Sequence, residues 1–344
     1  MRYVVVGASA SGISGAKTLR ERDKDAEIIL VSKDEKVYSR CILHHYIKGE
    51  RTIEELNFTN PGEFFEAYNI QWIKGVEVVK LESQAHLLHL SNGQQLSYDK
   101  VLLAAGASAF IPPIENLREA QNVVGLRNIE DAIKIKEMIP QIKSAVVLGA
   151  GLVGIDAVSG LLHQPIQVTL VEMGTRILPL QLDEYTSEVY ESRFKENGVG
   201  IRLGVKAEKV ILDEHKRPQA LKLDTGEEIP CELIIVATGV RSNIGFLQES
   251  GVEVDRFGLI INAKGETNAR DVYGAGDITG RNPFWPNAVK EGIIAASNMV
   301  GHEIYMTDFF SSKNTMNFLG LATMSLGMPI KPDDTYQEEI YKEG

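Results

Sequence analysis

The feature that most constrains the fold is a strand, glycine turn, helix and strand pattern that occurs twice. Near the N-terminus, an apolar strand at residues 3–6 precedes the turn GASASG (7–12), a helical segment at 13–22 and a strand at 27–31. The same order begins again at residue 145 with the strand AVVLG, the turn GAGLVG (149–154), a helix from 155 and the strand QVTLVE, which ends at Glu172. Each pattern is typical of a βαβ unit with a parallel sheet.

A similar strand and glycine turn follow each unit. VLLAAGA (101–107) follows the first unit, LIIVATGV (233–240) follows the second, and a further strand-rich stretch then ends in DVYGAGD (271–277). The sequence therefore predicts an α/β fold of two nested Rossmann-like dinucleotide-binding domains, in which the second copy is inserted into the first.

Composition excludes several classes of protein. The 344 residues suffice for about two domains. A net charge of −11 without a basic run argues against nucleic-acid binding. Two cysteines are too few for a disulfide framework, a structural zinc site or a cysteine-ligated iron–sulfur cluster, and they fit a reducing compartment. Because the sequence shows neither a signal peptide nor an apolar stretch of about 20 residues, we expect a cytoplasmic protein without a membrane span.

The second glycine turn carries the clearer binding signal. Gly149, Gly151 and Gly154 would permit a tight turn, close approach of a pyrophosphate and close packing of the helix on the strand. Glu172 ends the next strand, where its carboxylate could bind both ribose hydroxyls and repel a 2′-phosphate. The sequence therefore favours NADH over NADPH, although the nearby Arg176 weakens that preference.

The first glycine turn departs from the pattern because Ser9 occupies the position of the middle glycine. The following strand ends at Ser32 rather than at an acid, so Ser32 and Lys33 are expected to hold an adenosine ribose. Asp277 could present a carboxylate to a polyol chain or could simply cap the next helix. A helix predicted at 288–300, after Pro286 and Asn287, could stabilise the negative charge of a reduced flavin through its N-terminus.

Cys41 is the candidate redox residue. The segment YSRCILHHYIKGE places it near the start of a short helix and beside Arg40, and both features would favour a thiolate. An inert, partly buried cysteine is the alternative. Cys231 lies in a β-rich stretch and is expected to be structural, and His44 and His45 lack the neighbours that a metal site needs. Trp285 could pack near a flavin or form a surface platform.

Together these motifs resemble the pyridine nucleotide–disulfide oxidoreductase superfamily over about residues 1–328. GASASG with DVYGAGD resembles its FAD motifs, GAGLVG with Glu172 resembles its NAD(P)H motif, and IIVATGVRSN resembles its linking motif. YSRCILHHYIKGE and FWPNAVKEG are most similar to the coenzyme A-disulfide reductase, NADH oxidase and rubredoxin reductase branch. NTMNFLGLATMSLG resembles the opening of the C-terminal interface domain, after which the chain stops early for this family.

The resemblance implies the domain limits and the residue roles. Residues 1–112 and 243–306 would form the FAD-binding domain, 113–242 the inserted NAD(P)H-binding domain, and 307–344 the start of the interface domain. Cys41 would be the single catalytic redox cysteine, and Asp156 and Leu152 would lie near the nicotinamide. The residues expected to bind the cofactors are Gly7, Ser9, Ser11, Gly12, Ser32, Lys33, Arg40, His44, Val78, Ala105, Gly106, Arg127, Gly149, Gly151, Leu152, Val153, Gly154, Asp156, Glu172, Gly239, Gly276, Asp277, Pro286 and Ala288.

The resemblance also limits the reaction. The paired cysteines of glutathione and lipoamide reductases are absent, and Ala10 replaces the histidine of peroxidase members, so peroxide reduction is not expected. We expect FAD to take hydride from NADH or NADPH and pass electrons through Cys41 to a disulfide or persulfide. The alternatives are reduction of a small electron carrier such as rubredoxin, with Cys41 a bystander, and a nucleotide-binding regulatory subunit of a redox complex. Neither nucleic acid nor membrane is an expected partner, and a homodimer is left open.

Overall fold

A computed structural model describes residues 1–281, 283–307 and 313–327, together with 333, 335–337, 339 and 341. Its strands are, in chain order, β1 (Arg2–Val6), β2 (Glu27–Ser32), β3 (Gln71–Lys74), β4 (Val78–Glu82), β5 (Leu87–Leu90), β6 (Gln95–Ser97), β7 (Lys100–Leu103), β8 (Ala107–Ala109), β9 (Val123–Gly125), β10 (Ser144–Leu148), β11 (Gln167–Glu172), β12 (Gly200–Leu203), β13 (Ala207–Leu212), β14 (Pro218–Leu223), β15 (Glu228–Pro230), β16 (Leu233–Val236), β17 (Val240–Ser242), β18 (Val272–Gly274), β19 (Lys313–Phe318) and β20 (Leu321–Leu326). Its α-helices are α1 (Ala10–Arg22), α2 (Leu43–Lys48), α3 (Pro61–Ala67), α4 (Ile129–Met138), α5 (Leu152–Leu161), α6 (Glu184–Glu196) and α7 (Trp285–Met299).

The chain divides into two compact units. The first unit comprises Met1–Ala109 and Val240–Phe309, and the second comprises Phe110–Gly239 and Phe310–Gly344. Each unit contains a five-stranded parallel sheet, with the order β18-β7-β1-β2-β3 in the first and β9-β16-β10-β11-β12 in the second. The strand that completes the first sheet, β18, follows the second unit in the chain. The predicted α/β fold with nested parallel sheets is confirmed.

The central strand of the first sheet is buried on both of its faces. Val5 packs in the core cluster that also holds Leu19 of α1 and Ala295 of α7, whereas Val4 packs in a second cluster on the opposite face. This burial explains why β1 is a continuous apolar run rather than an alternating one, as is usual for parallel strands that are covered on both sides.

Helices α1 and α7 pack closely in the first unit because glycine lies where they meet. A Cβ atom on Gly292 of α7 would lie 2.2 Å from the Ser11 carbonyl oxygen, and one on Gly15 of α1 would lie 2.4 Å from Leu102 Cδ2. A larger residue at Gly292 would force the two helices apart, and one at Gly15 would have to displace the Leu102 side chain of β7. This contact holds the start of α7 beside the first glycine turn.

Three helices begin earlier than the sequence pattern predicted. Helices α1 and α5 begin at Ala10 and Leu152, because the second half of each glycine turn forms the first helical turn. Helix α7 begins at Trp285 rather than at residue 288, and Pro286 lies in its first turn. Proline is well accommodated there because the first N–H groups of a helix have no intrahelical acceptor.

In the second unit, the β19–β20 hairpin packs on α6. The Tyr190 hydroxyl of α6 donates to the Leu321 carbonyl oxygen at 2.5 Å, and the Tyr190 ring meets the Phe318 ring edge-on with centroids 6.1 Å apart. The segment predicted to open an interface domain, 307–344, is described only in part, and most of its last residues, KPDDTYQEEIYKEG, lie outside the described residues.

Candidate functional site

The first glycine turn has a backbone that only small residues can form. Gly7 has a φ of +114°, and a Cβ atom there would lie 2.2 Å from the Ala104 carbonyl oxygen. A Cβ atom on Gly12 would lie 1.9 Å from the Gly7 carbonyl oxygen. Ser9 caps α1 in an extended conformation, and among the described residues its side chain makes no capping hydrogen bond. The Ser9 side chain therefore does not occupy the first N–H groups of α1, which are the groups that bind an anion at a helix N-terminus.

The second glycine turn repeats this geometry. Gly149 has a φ of +100°, and a Cβ atom there would lie 2.5 Å from the Ala237 carbonyl oxygen. A Cβ atom on Gly154 would lie 1.8 Å from the Gly149 carbonyl oxygen. In contrast, a Cβ atom on Gly151 would meet no described atom within 4 Å. Backbone packing alone therefore requires glycine at positions 149 and 154. Gly151 has no such requirement, and it leaves space through which a pyrophosphate could approach the N-terminus of α5.

Glu172 lies directly beside the second glycine turn. Its Oε2 accepts a hydrogen bond from the Ala150 N–H at 2.7 Å, and its Oε1 accepts one from the Gly174 N–H at 2.7 Å. An ionised carboxylate has about four acceptor positions, so two remain for ribose hydroxyls. Arg176, four residues later, donates from Nη2 to the Pro179 carbonyl oxygen at 3.1 Å.

Three predicted residues at the start of the second unit's helix α5 differ in their surroundings. Leu152 is half-buried, Val153 is exposed, and Asp156 lies one turn further along the helix. Burial raises the pKa of the Asp156 carboxyl to about 8. This carboxyl therefore carries a proton over much of the neutral range, unlike an ordinary surface aspartate.

The end of β2 is held by its own hydrogen bonds. The Ser32 hydroxyl donates to the Asp34 carbonyl oxygen at 2.7 Å and accepts from Trp72 Nε1 at 2.9 Å. The Lys33 side chain is exposed. Ser32 is thus tied to the neighbouring strand β3 and to the backbone just after β2, and Lys33 is the more accessible of the two predicted ribose ligands.

A sharp turn after β18 brings Asp277 towards the first glycine turn. Gly276 has a φ of +79°, and a Cβ atom there would lie 2.5 Å from Ser11 Oγ and 3.5 Å from Ala288 Cβ. The structure thus brings Ser11 beside Gly276, Asp277 and Ala288, which lie far from it in the sequence. Asp277 lies inside the 3₁₀ helix Gly276–Thr279 rather than at a helix N-cap, so the capping alternative for it is wrong.

Two polar residues of α7, Asn287 and Glu291, also belong to this region. Neither was predicted as a site residue from the sequence. Asn287 is only 2% exposed, and its Oδ1 has no hydrogen-bond partner within the described part of the chain. Glu291, one turn later, accepts the Gly276 N–H at 2.6 Å, and burial raises the pKa of its carboxyl to about 7. Their spacing of four residues on one helix was the only signal in the sequence, and such spacing is common in ordinary helices. Pro286, in contrast, is exposed.

The region around Cys41 combines an exposed thiol with a half-buried ion pair. Cys41 is exposed and lies in the 3₁₀ helix Arg40–Ile42, directly before α2. Arg40 Nη2 pairs with Asp34 Oδ2 at 2.6 Å, and Arg40 Nη1 donates to the Tyr38 hydroxyl at 2.8 Å. Burial lowers the pKa of His44 to about 4, so its imidazole is neutral at physiological pH.

The remaining predicted residues lie on strand ends and turns. The predicted residues Ala105 and Gly106 lie in the turn after β7, and both bind Asn243, which follows β17. Asn243 Nδ2 donates to the Ala105 carbonyl oxygen at 2.9 Å, and the Asn243 N–H donates to the Gly106 carbonyl oxygen at 3.0 Å. Gly239 has a φ of +101° at the end of the second unit. Val78 is buried in the core of the first unit, so only its backbone could contact a ligand. Arg127 lies in the second unit before α4, where its N–H donates to Asp131 Oδ2 at 2.9 Å.

Comparison with known proteins identifies the family. The family model described as pyridine nucleotide-disulphide oxidoreductase matches residues 1–292. The chain belongs to this family. The oxidoreductase is 30% identical over 321 residues to an NADH oxidase of Methanocaldococcus jannaschii, with 88% of this chain and 71% of the relative covered. It is 29% identical over 344 residues to the NADH-dependent phenylglyoxylate dehydrogenase subunit epsilon of Aromatoleum evansii, with 96% of this chain and 80% of the relative covered.

A solved NAD-dependent persulfide reductase from A. fulgidus has the same fold as the oxidoreductase. It superposes with a TM-score of 0.88 at 26% identity and covers 95% of this chain. The oxidoreductase spans 64% of the length of that structure. Three predictions from the sequence are therefore confirmed. The protein belongs with this superfamily, it is an oxidoreductase, and its cofactors are FAD and NAD(P)H.

The described residues fit these cofactors. Two glycine turns lead into helix N-termini, the space beside Gly151 would be filled by a Cβ atom, and Asn287 Oδ1 is buried without a partner in the described residues. Each of these features would suit a dinucleotide or a flavin. Among the described helices, none is both long and apolar enough to cross a membrane.

Proposed function

We propose that this NAD(P)H-dependent flavoprotein reduces a disulfide or persulfide of a low-molecular-weight thiol, such as coenzyme A, through Cys41. In this proposal the first unit binds FAD, the second binds NAD(P)H, and NADH is preferred because of Glu172. When bound, FAD accepts the hydride of NAD(P)H and passes on an electron pair. The resemblance to a protein named a persulfide reductase supports this acceptor class.

The observation that carries the proposal is the contrast between the two thiols. Cys41 is exposed, whereas Cys231 is 0% exposed in the core of the second unit, and burial raises its pKa to about 12. Disulfide exchange requires a thiolate that the substrate can reach. Of the two cysteines, only Cys41 meets the requirement for access.

Reduction of the disulfide would take two steps at Cys41. The Cys41 thiolate attacks one sulfur of the substrate R–S–S–R, forms a mixed disulfide and releases one thiolate RS⁻. Two electrons then break the mixed disulfide, restore the Cys41 thiolate and release the second RS⁻. With the proton taken from water, one NAD(P)H and one H⁺ yield two thiols. A persulfide R–S–SH would release HS⁻ in place of one RS⁻.

A comparison of cysteine variants tests the proposal. Under anaerobic conditions, stoichiometric NADH added to protein that carries coenzyme A in a mixed disulfide with Cys41 should break that disulfide, leave the flavin oxidised beside the Cys41 thiolate, and produce a long-wavelength thiolate-to-flavin band. Cys41→Ser should lose this band and coenzyme A disulfide turnover but retain dye reduction, whereas Cys231→Ala, the matched control, should retain all three. Full disulfide turnover by Cys41→Ser would refute the proposed thiol mechanism.

A second function is favoured by the similarity to a protein named as a dehydrogenase subunit. In this alternative, the oxidoreductase passes electrons to a small electron carrier such as rubredoxin or to another subunit of a redox complex, and Cys41 is a bystander. NADH would then bleach the flavin without a long-wavelength band, and Cys41→Ser would reduce the carrier at the wild-type rate. A protein that binds both nucleotides but shows no flavin reduction would instead be a regulatory subunit.

A further inference from the structure

Glu291 fixes the turn that presents Asp277. The Gly276 N–H donates to Glu291 Oε2 at 2.6 Å, a length typical of a strong hydrogen bond. Gly276 lies between the first turns of α1 and α7, where a Cβ atom would lie 2.5 Å from Ser11 Oγ and 3.5 Å from Ala288 Cβ. Because Gly276 has a single donor and little space, Glu291 determines how this backbone is oriented at the position directly before Asp277.

The charges around Glu291 disfavour its ionised form. Burial raises its pKa to about 7, the Asp277 carboxylate acts in the same direction, and the Gly276 hydrogen bond opposes both. The nearby cations have other partners: Arg281 Nη2 pairs with Asp255 Oδ2 at 2.6 Å, and Lys264 Nζ pairs with Glu303. Neither forms an ion pair with Glu291 in the described residues.

A small cavity gives the Glu291 carboxyl access to water. Its volume is about 130 Å³, and its wall includes Glu291, Asn262, Thr279, Arg281 and Ile294. A water molecule occupies about 30 Å³ in the liquid, so several waters fit. The carboxyl can therefore exchange a proton without rearrangement of α7.

A purely structural role would not require an acid at this position. A glutamine carbonyl oxygen could accept the Gly276 N–H equally well and would avoid placing a second carboxyl near Asp277. A half-buried acid with a like-charged neighbour is disfavoured, and such groups are concentrated at functional sites. An acid at this position is therefore explained by a role in which the Glu291 carboxyl gains and loses a proton.

We propose that Glu291 is a positioning residue of the FAD site, which orients the Gly276–Asp277 turn and weakens FAD binding when it loses its proton. The inference rests on the proposed placement of FAD in the first unit. When neutral, Glu291 holds the turn without added charge. When ionised, it adds a negative charge near Asp277 and near the first turn of α1, where the pyrophosphate of FAD is expected.

The test measures FAD affinity of the apoprotein by fluorescence quenching at about pH 6 and about pH 8.5, on either side of neutrality. Wild-type affinity should fall by about fivefold between them, within the usual range of a coupling between two sites. Glu291→Gln should match the wild type at the lower pH and lose this difference. Glu291→Ala should bind about tenfold more weakly at both pH values, because the Gly276 N–H loses its acceptor.

Two further variants make the result unambiguous. Glu253→Gln removes an exposed carboxylate of the same unit and should keep the wild-type pH dependence. Asp277→Asn should weaken FAD binding at both pH values. If Asp277→Asn weakens binding but Glu291→Gln keeps the wild-type pH difference, the role of Glu291 is wrong. If Asp277→Asn binds FAD as tightly as the wild type, the placement of FAD is wrong, and the inference fails with it.

Discussion

The carboxylate of Glu172 accepts the Ala150 N–H at 2.7 Å and so ties the end of β11 to the second glycine turn. A nucleotide ribose bound at this turn would therefore lie beside a negative charge. Glu172→Ala should remove the repulsion of a 2′-phosphate and the acceptor for the ribose hydroxyls. We expect the ratio of kcat/KM for NADH to that for NADPH to fall by about tenfold, equivalent to about 1.4 kcal/mol.

Initial-rate measurements of dye reduction with each nucleotide check this prediction. Glu188→Gln removes an exposed carboxylate from α6 in the same unit and should leave the ratio unchanged. An unchanged ratio in Glu172→Ala would show that the adenosine ribose binds elsewhere.

Gly149 and Gly151 should respond differently to the same substitution. Gly149→Ala places a Cβ atom 2.5 Å from the Ala237 carbonyl oxygen at a φ of +100°, so it should destabilise the second unit by about 1–3 kcal/mol. Gly151→Ala meets no described atom within 4 Å at a φ of −74°, so the apoprotein should keep its stability. We expect Gly151→Ala instead to weaken NADH binding by at least about tenfold, because its methyl group would occupy the approach of the pyrophosphate.

Thermal unfolding followed by circular dichroism and titration with NADH separate these two effects. Gly151→Ala serves as the stability control for Gly149→Ala. If Gly151→Ala binds NADH like the wild type, the second glycine turn is not the pyrophosphate site.

The sequence predicted those parts of the fold and site that depend on local patterns. The turns at Gly7–Gly12 and Gly149–Gly154 could be recognised because the strand, the glycines and the helix are consecutive in the chain. The contact between Glu291 and Gly276 could not, because a helical glutamate one turn after Asn287 looks like a solvated surface residue until the burial of α7 is known. The tie between Ser32 and Trp72 joins neighbouring strands 40 residues apart and was missed for the same reason.

Asp156 should make the stability of the apoprotein depend on pH. Its folded-state pKa of about 8 lies above its ordinary value of 3.8, so the folded protein holds this proton more tightly than the unfolded chain. The resulting stabilisation is complete below about pH 4 and is lost as the pH rises to about 8. Asp156→Asn should remove this dependence, and the difference between the two proteins should be on the order of a few kcal/mol.

Thermal unfolding midpoints at about pH 5.5 and about pH 8.5, without nucleotide, test this linkage. The wild type should lose more stability than Asp156→Asn between the two pH values, and Glu188→Gln should behave like the wild type. Equal losses in the wild type and Asp156→Asn would mean that Asp156 titrates as an ordinary aspartate.

Arg20 should be a major determinant of the stability of the first unit. The guanidinium is buried and donates to five backbone carbonyl oxygens: those of Tyr68 (2.9 Å), Asp23 (3.3 Å), Lys24 (2.6 Å), Ala26 (2.8 Å) and Asn69 (3.0 Å). Arg20→Ala would leave several of these oxygens without a donor and would leave a cavity, so we expect a loss of about 2–4 kcal/mol.

Tryptophan fluorescence during urea unfolding measures the unfolding of the first unit, because both tryptophans, Trp72 and Trp285, lie in that unit. Arg22→Ala, two residues later on the same helix, removes an exposed arginine and should change the free energy of unfolding by less than about 0.5 kcal/mol. Arg20→Lys should remain destabilised, because one ammonium group has three donors at a single point and cannot replace N–H donors that are spread around the edge of the planar guanidinium. Equal stability of Arg20→Ala and Arg22→Ala would mean that water replaces the guanidinium at no cost, and that the five hydrogen bonds contribute nothing to folding.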